Sequence, residues 1–216
     1  MNNPENGSLA QTNGAESSQI SEAGEPAKKK RTPRDTIGDI YELLEMLGLV
    51  TVIVMLVFAF VARLNIVDGH SMDHTLADGQ YLAVSDLFYD PKPGDIVIVH
   101  KANAEYYNKP IVKRVIATAG QTVDIDFESW TLTVDGQVID EPYRYLDDGP
   151  TLTAEYRFPI TVGENEIFVM GDNRNHSGDS RTRDLYTIDK RCVVGHAMVR
   201  LFPFDSFTVF RNPFVE

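Results

Sequence analysis

The sequence predicts a mainly β fold, in which an antiparallel, β-barrel-like domain follows a single N-terminal transmembrane helix. Two observations lead to this prediction. Met46 to Ala62 form an uncharged apolar run, and short β-branched segments separated by Gly- and Pro-containing turns follow it. A helix that is apolar on all sides is buried in lipid or protein, and many short strands with tight turns indicate an antiparallel barrel or sandwich. We divide the chain into a tail over 1–40, a membrane anchor over 41–64 and a β domain over 65–216.

The tail is predicted to be disordered and to end in a basic run. Residues 1–27 are rich in Asn, Ser, Gly, Glu, Gln and Ala and contain no aromatic residue, so they bury too little apolar surface to offset the entropy of ordering. Five cations lie within residues 28–34, before the apolar run, and only Arg63 directly follows it. The positive-inside rule then places the N-terminus in the cytoplasm and residues 63–216 outside.

The apolar run is predicted to stay in the membrane as an anchor. Its length lies near the short end of the roughly 17–25 residues that cross a bilayer, and Glu45 and Arg63 flank it at the two interfaces. A cleaved signal peptide would have its apolar core near the N-terminus and small residues at a cleavage site. Here the run begins far along the chain and Arg63 follows it, so the lipid bilayer is a predicted partner.

Composition excludes several classes of function. The net charge of -12 argues against a nucleic-acid partner, because phosphate binding needs clustered cations. Cys192 is the only cysteine, which excludes an intramolecular disulfide and a cysteine-based metal site. No His or carboxylate pair has zinc-ligand spacing, so we expect no metal and no cofactor.

The region after the anchor is predicted to form eight short strands. The pair Asp135-Gly136, between Trp130–Val134 and Gln137–Ile139, is a strong signal for a two-residue hairpin. The predicted strands are Gln80–Ser85, Asp95–His100, Ile111–Ala117, Thr122–Asp126, Thr131–Val134, Ile167–Met170, Val193–Leu201 and Phe207–Phe210.

Two short segments contain candidate reactive side chains. Ser71 lies in a Gly-containing loop just after the anchor, where a serine is usually a turn residue. Lys113 lies inside the apolar β segment that starts at Ile111, and alternation allows two interpretations. The lysine points to solvent beside branched neighbours, or its face is buried and the lysine is desolvated. Burial lowers the pKa of a lysine, and a neutral amine at pH 7 is a competent general base.

A third segment, Met170 to Arg181, is dense in polar side chains and directly follows a predicted strand. It is either an ordinary polar surface loop or a rigid loop braced by Asp–Arg pairs and Asx turns. A rigid loop of this kind would orient a catalytic group.

Together the three segments resemble the signature motifs of type I signal peptidases. They read Gly-x-Ser-Met-x-x-Thr-Leu from Gly69, Lys-Arg-Val-Ile from Lys113, and Gly-Asp-Asn-Arg-x-x-Ser-x-Asp-Ser-Arg from Gly171. Their order, their separations and the preceding anchor match as well, and the resemblance covers roughly residues 40–216. The chain departs from the pattern at His74, where the family has Pro, and at 118–121, where it has Leu-Pro-Gly-Asp.

The resemblance implies a role for each matching residue. Ser71 would be the nucleophile, Lys113 the general base, and Ser177 would hydrogen-bond the lysine amine. The oxyanion hole would use the Ser71 N–H, with a backbone or water donor beside it, because Gly69 stands where some members carry a serine, as in Gram-positive variants. The implied bracing residues are Asp172, Arg174, Asp179 and Arg181. The implied substrate cleft, for which ordinary core packing is the alternative, consists of Met72, Leu76, Ile111, Val112 and Val169.

The implied function is endoproteolysis of exported preproteins at the outer face of the membrane, after Ala-x-Ala-like sites. Two other peptidase-type interpretations were weighed: a histidine-dependent mechanism using His70, His74 or His176, and a self-cleaving repressor, which needs a DNA-binding module. A non-enzymatic alternative is an inactive anchored β domain that assists surface-protein assembly. The joint presence of Ser71 and Lys113 argues against that alternative.

Overall fold

The computed structural model describes residues 33–60, 63–150 and 153–214. The predicted disordered tail over 1–27 and residues 28–32 of the basic run lie outside these ranges. The described part contains one α-helix, α1 (Pro33–Phe60), two 3-10 helices (Lys190–Cys192 and Phe204–Ser206) and twelve strands. The strands are β1 (Arg63–Ile66), β2 (Tyr81–Ser85), β3 (Ile96–Val99), β4 (Ile111–Thr118), β5 (Thr122–Asp126), β6 (Thr131–Val134), β7 (Gln137–Val138), β8 (Ile160–Thr161), β9 (Glu166–Met170), β10 (Ile188–Asp189), β11 (Val193–Phe202) and β12 (Thr208–Val209).

Helix α1 is long and apolar enough over Ile37–Val57 to cross a membrane, and the side chains of this stretch are exposed. It begins at Pro33, eight residues before the predicted start of the anchor, and proline suits a helix start because its missing N–H costs no hydrogen bond there. It ends at Phe60, and Arg63 opens β1. One apolar helix before a mainly β region confirms the predicted fold class.

The strands form two antiparallel sheets. The larger one has the order β1-β2-β11-β3-β4-β9-β10, with β12 paired to β11, and it curls into a half-barrel. The register of β11 shifts against both β2 and β3, and such bulges bend a strand and increase its twist. The smaller sheet has the order β7-β6-β5-β8.

The hairpin between β6 and β7 turns at Asp135-Gly136, as the sequence predicts. Both residues have positive φ, 53° and 75°, which a type I′ two-residue turn requires. Asp135 also accepts a hydrogen bond from the Thr122 N–H (2.8 Å), which ties the turn to β5.

Strands β4 and β9 are buried on both faces. Phe168 and Met170 belong to the hydrophobic cluster that also contains the inner face of the smaller sheet, while Val115 and Val169 belong to a cluster on the opposite side. Strands packed on both faces have little freedom to shift register. The residues that β4 and β9 carry, and the loop after Met170, are therefore held firmly.

Candidate active site

Ser71 and Lys113 meet in the structure although they are far apart in sequence. The Lys113 Nζ donates a hydrogen bond to Ser71 Oγ (2.6 Å) and a second to the Val112 carbonyl (2.9 Å). Ser71 lies in the turn between β1 and β2, and Lys113 is the third residue of β4, opposite Val97 of β3. A hydroxyl in direct contact with an amine is the arrangement that a Ser–Lys nucleophile pair requires.

Lys113 is buried, which decides between the two interpretations of its strand. Its exposed fraction is 3%, and this burial lowers the pKa of its amine from 10.5 to about 8. Asp179 and Asp172 act in the opposite direction but only in part. The neutral amine is therefore a substantial minority near physiological pH and half of the population at about pH 8, and a neutral amine can accept a proton.

None of the histidines in the described residues donates to or accepts from Ser71 Oγ. His70 pairs with Asp73 (3.0 Å) and His176 with Asp147 (3.3 Å). His74 packs edge-on against the Tyr145 ring, with 4.0 Å between centroids. The geometry favours Lys113 over any histidine as the partner of Ser71.

The carboxylate of Asp172 joins the three motifs. It accepts two hydrogen bonds from Arg114, Nε to Oδ1 at 2.8 Å and Nη2 to Oδ2 at 2.6 Å, and one from Thr75 Oγ1 at 2.6 Å. The guanidinium of Arg114 also lies over the Tyr143 ring, 3.9 Å from its centroid. Bidentate pairs fix orientation as well as distance. Asp172 therefore sets the position of the nucleophile turn relative to β4.

A second buried pair shapes the loop itself. Asp179 binds Arg181 through both oxygens (2.8 Å each) and accepts from the Gly171 N–H (3.0 Å). Burial alone would raise the pKa of Asp179, but Arg181 and the Gly171 N–H hold it below its usual value. Arg174 pairs with Glu141, which lies outside the sequence motif. The four predicted bracing residues thus all make buried ion pairs or hydrogen bonds.

Ser177 lies close to the pair of Ser71 and Lys113, called the dyad below. The predicted hydrogen bond from Ser177 to the Lys113 amine is absent from this structure. Ser177 Oγ is buried and has no hydrogen-bond partner among the described residues. A Cβ placed on Gly171 would overlap both Ser177 Oγ and the Ser71 carbonyl, so only glycine allows this approach. The role of Ser177 stays a prediction.

Asn173 contacts the nucleophile turn and was not assigned a role from the sequence. Its N–H donates to the Ser71 carbonyl (3.0 Å), and its Nδ2 donates to the His70 carbonyl (3.0 Å). The Gly69 N–H is engaged by Asp78 Oδ1 (2.8 Å), whereas the Ser71 N–H makes no hydrogen bond within the described ranges. Asn173 lies inside the third motif, and this position is the sequence feature from which a role for it could have been predicted.

A cavity of about 230 Å³ opens at the dyad. Three of the predicted cleft residues line it, Met72, Ile111 and Val112, and so does Tyr107, which the sequence did not single out. Leu76 and Val169 do not line it, because both are fully buried in hydrophobic clusters of the core.

The turn that carries Ser71 closes despite the departure at His74. The Leu76 N–H donates to the Met72 carbonyl (2.8 Å), and the Asp73 N–H donates to the His70 carbonyl (3.2 Å). The Asp73–His74 peptide bond is cis, and Gly69 has a φ of +97°, a backbone conformation that favours glycine.

Comparison with known proteins gives one consistent result. The family profile described as signal peptidase, peptidase S26, matches residues 40–202. The chain is 36% identical over 176 residues to signal peptidase I of Bacillus licheniformis, covering 77% of this chain and 91% of that protein. It is 32% identical to the probable signal peptidase I-1 of Synechocystis (76% and 83% covered) and 30% identical to signal peptidase IB of Staphylococcus aureus (81% and 96%).

Replacing Lys113 by methionine should stabilise the protein. A lysine whose pKa falls from 10.5 to about 8 destabilises the fold by roughly 3 kcal/mol at pH 7, since each pKa unit equals about 1.4 kcal/mol. This cost is complete below pH 8 and disappears as the pH rises to 10.5, because only the unfolded chain then holds the proton. We expect Lys113→Met to melt higher at pH 7 and the gap to narrow by pH 10.

The measurement is thermal unfolding of the full chain in detergent between pH 7 and pH 10. Lys109→Met, at an exposed lysine four residues earlier, is the matched control and should leave the melting temperature nearly unchanged. A Lys113→Met variant that is less stable than the wild type at pH 7 would contradict a desolvated lysine.

Proposed function

Because the chain belongs to the signal peptidase family, peptidase S26, we propose that Ser71 and Lys113 carry out its endopeptidase reaction at the outer face of a membrane. Family membership makes the chain a serine endopeptidase that processes signal peptides. The observation that carries the mechanistic proposal is the 2.6 Å contact between a buried lysine amine and the Ser71 hydroxyl.

In the proposed reaction the Lys113 amine carries protons between Ser71 Oγ, the leaving amine and a water molecule. The neutral Lys113 amine accepts the Ser71 proton as Oγ attacks the carbonyl carbon of the scissile bond. The resulting ammonium then protonates the leaving amine, the C–N bond breaks, and an ester forms on Ser71. A water molecule, deprotonated by the same amine, attacks the ester carbon. The bond to Ser71 Oγ breaks, the ammonium returns the proton to Oγ, and the signal peptide leaves with a new carboxylate.

Asn173 supports an oxyanion site at the Ser71 N–H. The His70–Ser71 peptide bond is trans, and in a planar trans peptide the N–H and the C=O point in opposite directions. Because Asn173 Nδ2 and the Asp73 N–H hold the His70 carbonyl, the Ser71 N–H is directed away from them. We assign Asn173 as the positioning residue for this donor.

The lining of the dyad cavity fits a small side chain before the cut. Met72, Ile111 and Val112 form apolar walls around only about 230 Å³. Such walls would bury the methyl group of an Ala side chain. Preproteins with Ala-x-Ala-like sites are therefore the proposed substrates.

An exposed apolar patch supports placement against the bilayer. Ile66 lies opposite Tyr81, Tyr81 lies opposite Phe202, and Phe202 packs edge-on against Phe204, which is 82% exposed. β1 begins only three residues after the helix ends at Phe60. Exposed aromatic residues bind the membrane interface. We propose that this patch contacts the outer leaflet, with the N-terminus cytoplasmic.

Loss of either dyad residue should abolish cleavage. We expect Ser71→Ala and Lys113→Ala each to reduce turnover of a preprotein with an Ala-x-Ala site by about 10⁴-fold or more, because the two side chains act as one unit. The assay is mass-spectrometric mapping of products in detergent, with Ser129→Ala and Lys109→Ala as surface controls. Retained cleavage in Ser71→Ala would exclude Ser71 as the nucleophile. Retained cleavage in Lys113→Ala would place the base elsewhere.

The pH profile should report the lysine. Only the neutral amine accepts a proton, so kcat/KM should rise about tenfold per pH unit below pH 8 and level off above it. The measurement is kcat/KM from pH 5.5 to 9.5 in one buffer series. A limb near pH 6.5, the reference value for imidazole, would indicate a histidine base instead.

Truncating Asn173 should lower kcat with little effect on KM. Misplacing one oxyanion donor costs on the order of 100-fold. We expect Asn173→Ala to lose about this factor while the pH limb stays near 8, since the lysine is untouched. Turnover within threefold of the wild type would contradict the positioning role. A shifted pH limb would show that the substitution disturbs the dyad itself.

A further inference from the structure

A second and larger cavity adjoins the cavity at the dyad. It has a volume of about 750 Å³, and His70 and His176 line both cavities. A bound substrate chain continues through the scissile bond, and the apolar walls of the dyad cavity suit the residues before the cut. The second cavity is thus the space available to the residues that follow the cut.

Two carboxylates give this second cavity an acidic character. Asp73 and Asp147 both line it, with side chains 29% and 30% exposed. Each has an imidazole beside it, His70 for Asp73 and His176 for Asp147. No Lys or Arg of the described residues is among the side chains that line the cavity. At a pH where imidazole is neutral, the cavity carries two negative charges that no lining cation balances.

A third hydrogen-bond acceptor in the cavity wall has no partner. Asn173 lines the cavity and is 3% exposed, and its Oδ1 is buried without a hydrogen-bond partner among the described residues. A buried acceptor that remains unpaired is costly, but this atom is closed to solvent, so the two carboxylates are the acceptors within a ligand's reach. The cavity wall therefore offers acceptors where a substrate would bring donors.

The segment that carries Asp147 is hydrogen-bonded to the polar loop over 170–181. The Asp147 N–H donates to Asn175 Oδ1 (3.0 Å), and Asn175 Nδ2 donates back to the Asp147 carbonyl (3.3 Å). Two residues earlier, the Tyr145 N–H donates to the Asp172 carbonyl (2.8 Å). The carboxylate of Asp147 is thus positioned before substrate arrives, and such pre-organisation is typical of a binding subsite.

We propose that this second cavity binds the first residues after the scissile bond and selects basic over acidic side chains there. The inference rests on the proposed peptidase function. An acidic substrate side chain would meet Asp73 and Asp147 as like charges, whereas a lysine or arginine would meet them as opposite charges. Electrostatic matching of this kind discriminates between substrates more than it adds affinity.

The test compares substrates that differ only after the cut. The full chain in detergent is given three Ala-x-Ala peptides at pH 8 and low salt. The peptides carry Lys, Gln or Glu at the second position after the cleavage site, and two further sets carry the same three residues at the first and at the third position. We expect kcat/KM to fall in the order Lys, Gln, Glu at one or more positions. The ratio of kcat/KM for the Lys peptide to that for the Glu peptide should be about tenfold, because each partly exposed charge pair contributes only a small binding energy. The ratio should shrink in 1 M salt.

Variants assign the effect to the cavity. The Asp73→Asn/Asp147→Asn double variant should bring the Lys-to-Glu ratio close to one, while Asp148→Asn, at an exposed neighbouring carboxylate, should keep it. A wild-type ratio near one at all three positions, with the Gln peptide still cut, overturns the inference and leaves the peptidase function standing. An unchanged ratio in the double variant also overturns it. Failure to cut any peptide contradicts the peptidase function itself.

Discussion

The arrangement of the site depends on the carboxylate of Asp172. This side chain is fully buried, and it holds Thr75 and Arg114, which lie 97 and 58 residues away in sequence. Thr75 belongs to the turn that carries the nucleophile, and Arg114 is adjacent to Lys113. A buried guanidinium that lost this partner would remain an uncompensated charge in the interior, at a cost of about 3–5 kcal/mol. The contact between Ser71 and Lys113 therefore depends on an ion pair that touches neither Ser71 Oγ nor Lys113 Nζ.

Burial of the lysine creates both its reactivity and its cost. Strand β4 is packed on both faces, so Lys113 leaves water when the strand joins the sheet, and its pKa falls to about 8. The carboxylates of Asp172 and Asp179 limit this fall. Arg114 binds the carboxylate of Asp172, and Arg181 binds that of Asp179 and lowers its pKa. Beside these two internal ion pairs, the buried Lys113 amine has no carboxylate partner of its own and reaches its neutral form at a much lower pH than an exposed lysine, and proton abstraction from a serine requires that form.

The sequence predicted those features that depend on local pattern. The apolar run, the Asp135-Gly136 turn and the β-branched segments indicated the fold class, and the apolar residues around Lys113 drew attention to its strand. Strand β1 was missed because Arg63–Ile66 is short and follows the helix without a turn signal. The hydrophobic pattern of the sequence does not distinguish residues that line a cleft from residues of the core. Leu76 and Val169 were therefore predicted, wrongly, to lie with the residues that line the cavity.

Other features depend on contacts that no local pattern records. Glu141 reaches Arg174 from 33 residues away, and Tyr107 reaches the dyad cavity from the loop before β4. Asn173 acts through its backbone N–H and its side-chain amide on two carbonyls of the nucleophile turn. Such bonds to main-chain atoms leave no sequence signature at the partner position, because any residue has a carbonyl. The three-dimensional arrangement was needed to find them.

The most direct test of this account is the titration of Lys113 itself. Carbon-13 NMR of the full chain in detergent, labelled at lysine Cε, follows each lysine with pH, and the Lys113→Met variant identifies the signal that disappears. The account predicts that this signal titrates with a pKa near 8, well below those of the exposed lysines. A Lys113 signal that titrates near 10.4, the reference value for lysine, would contradict a neutral amine as the base.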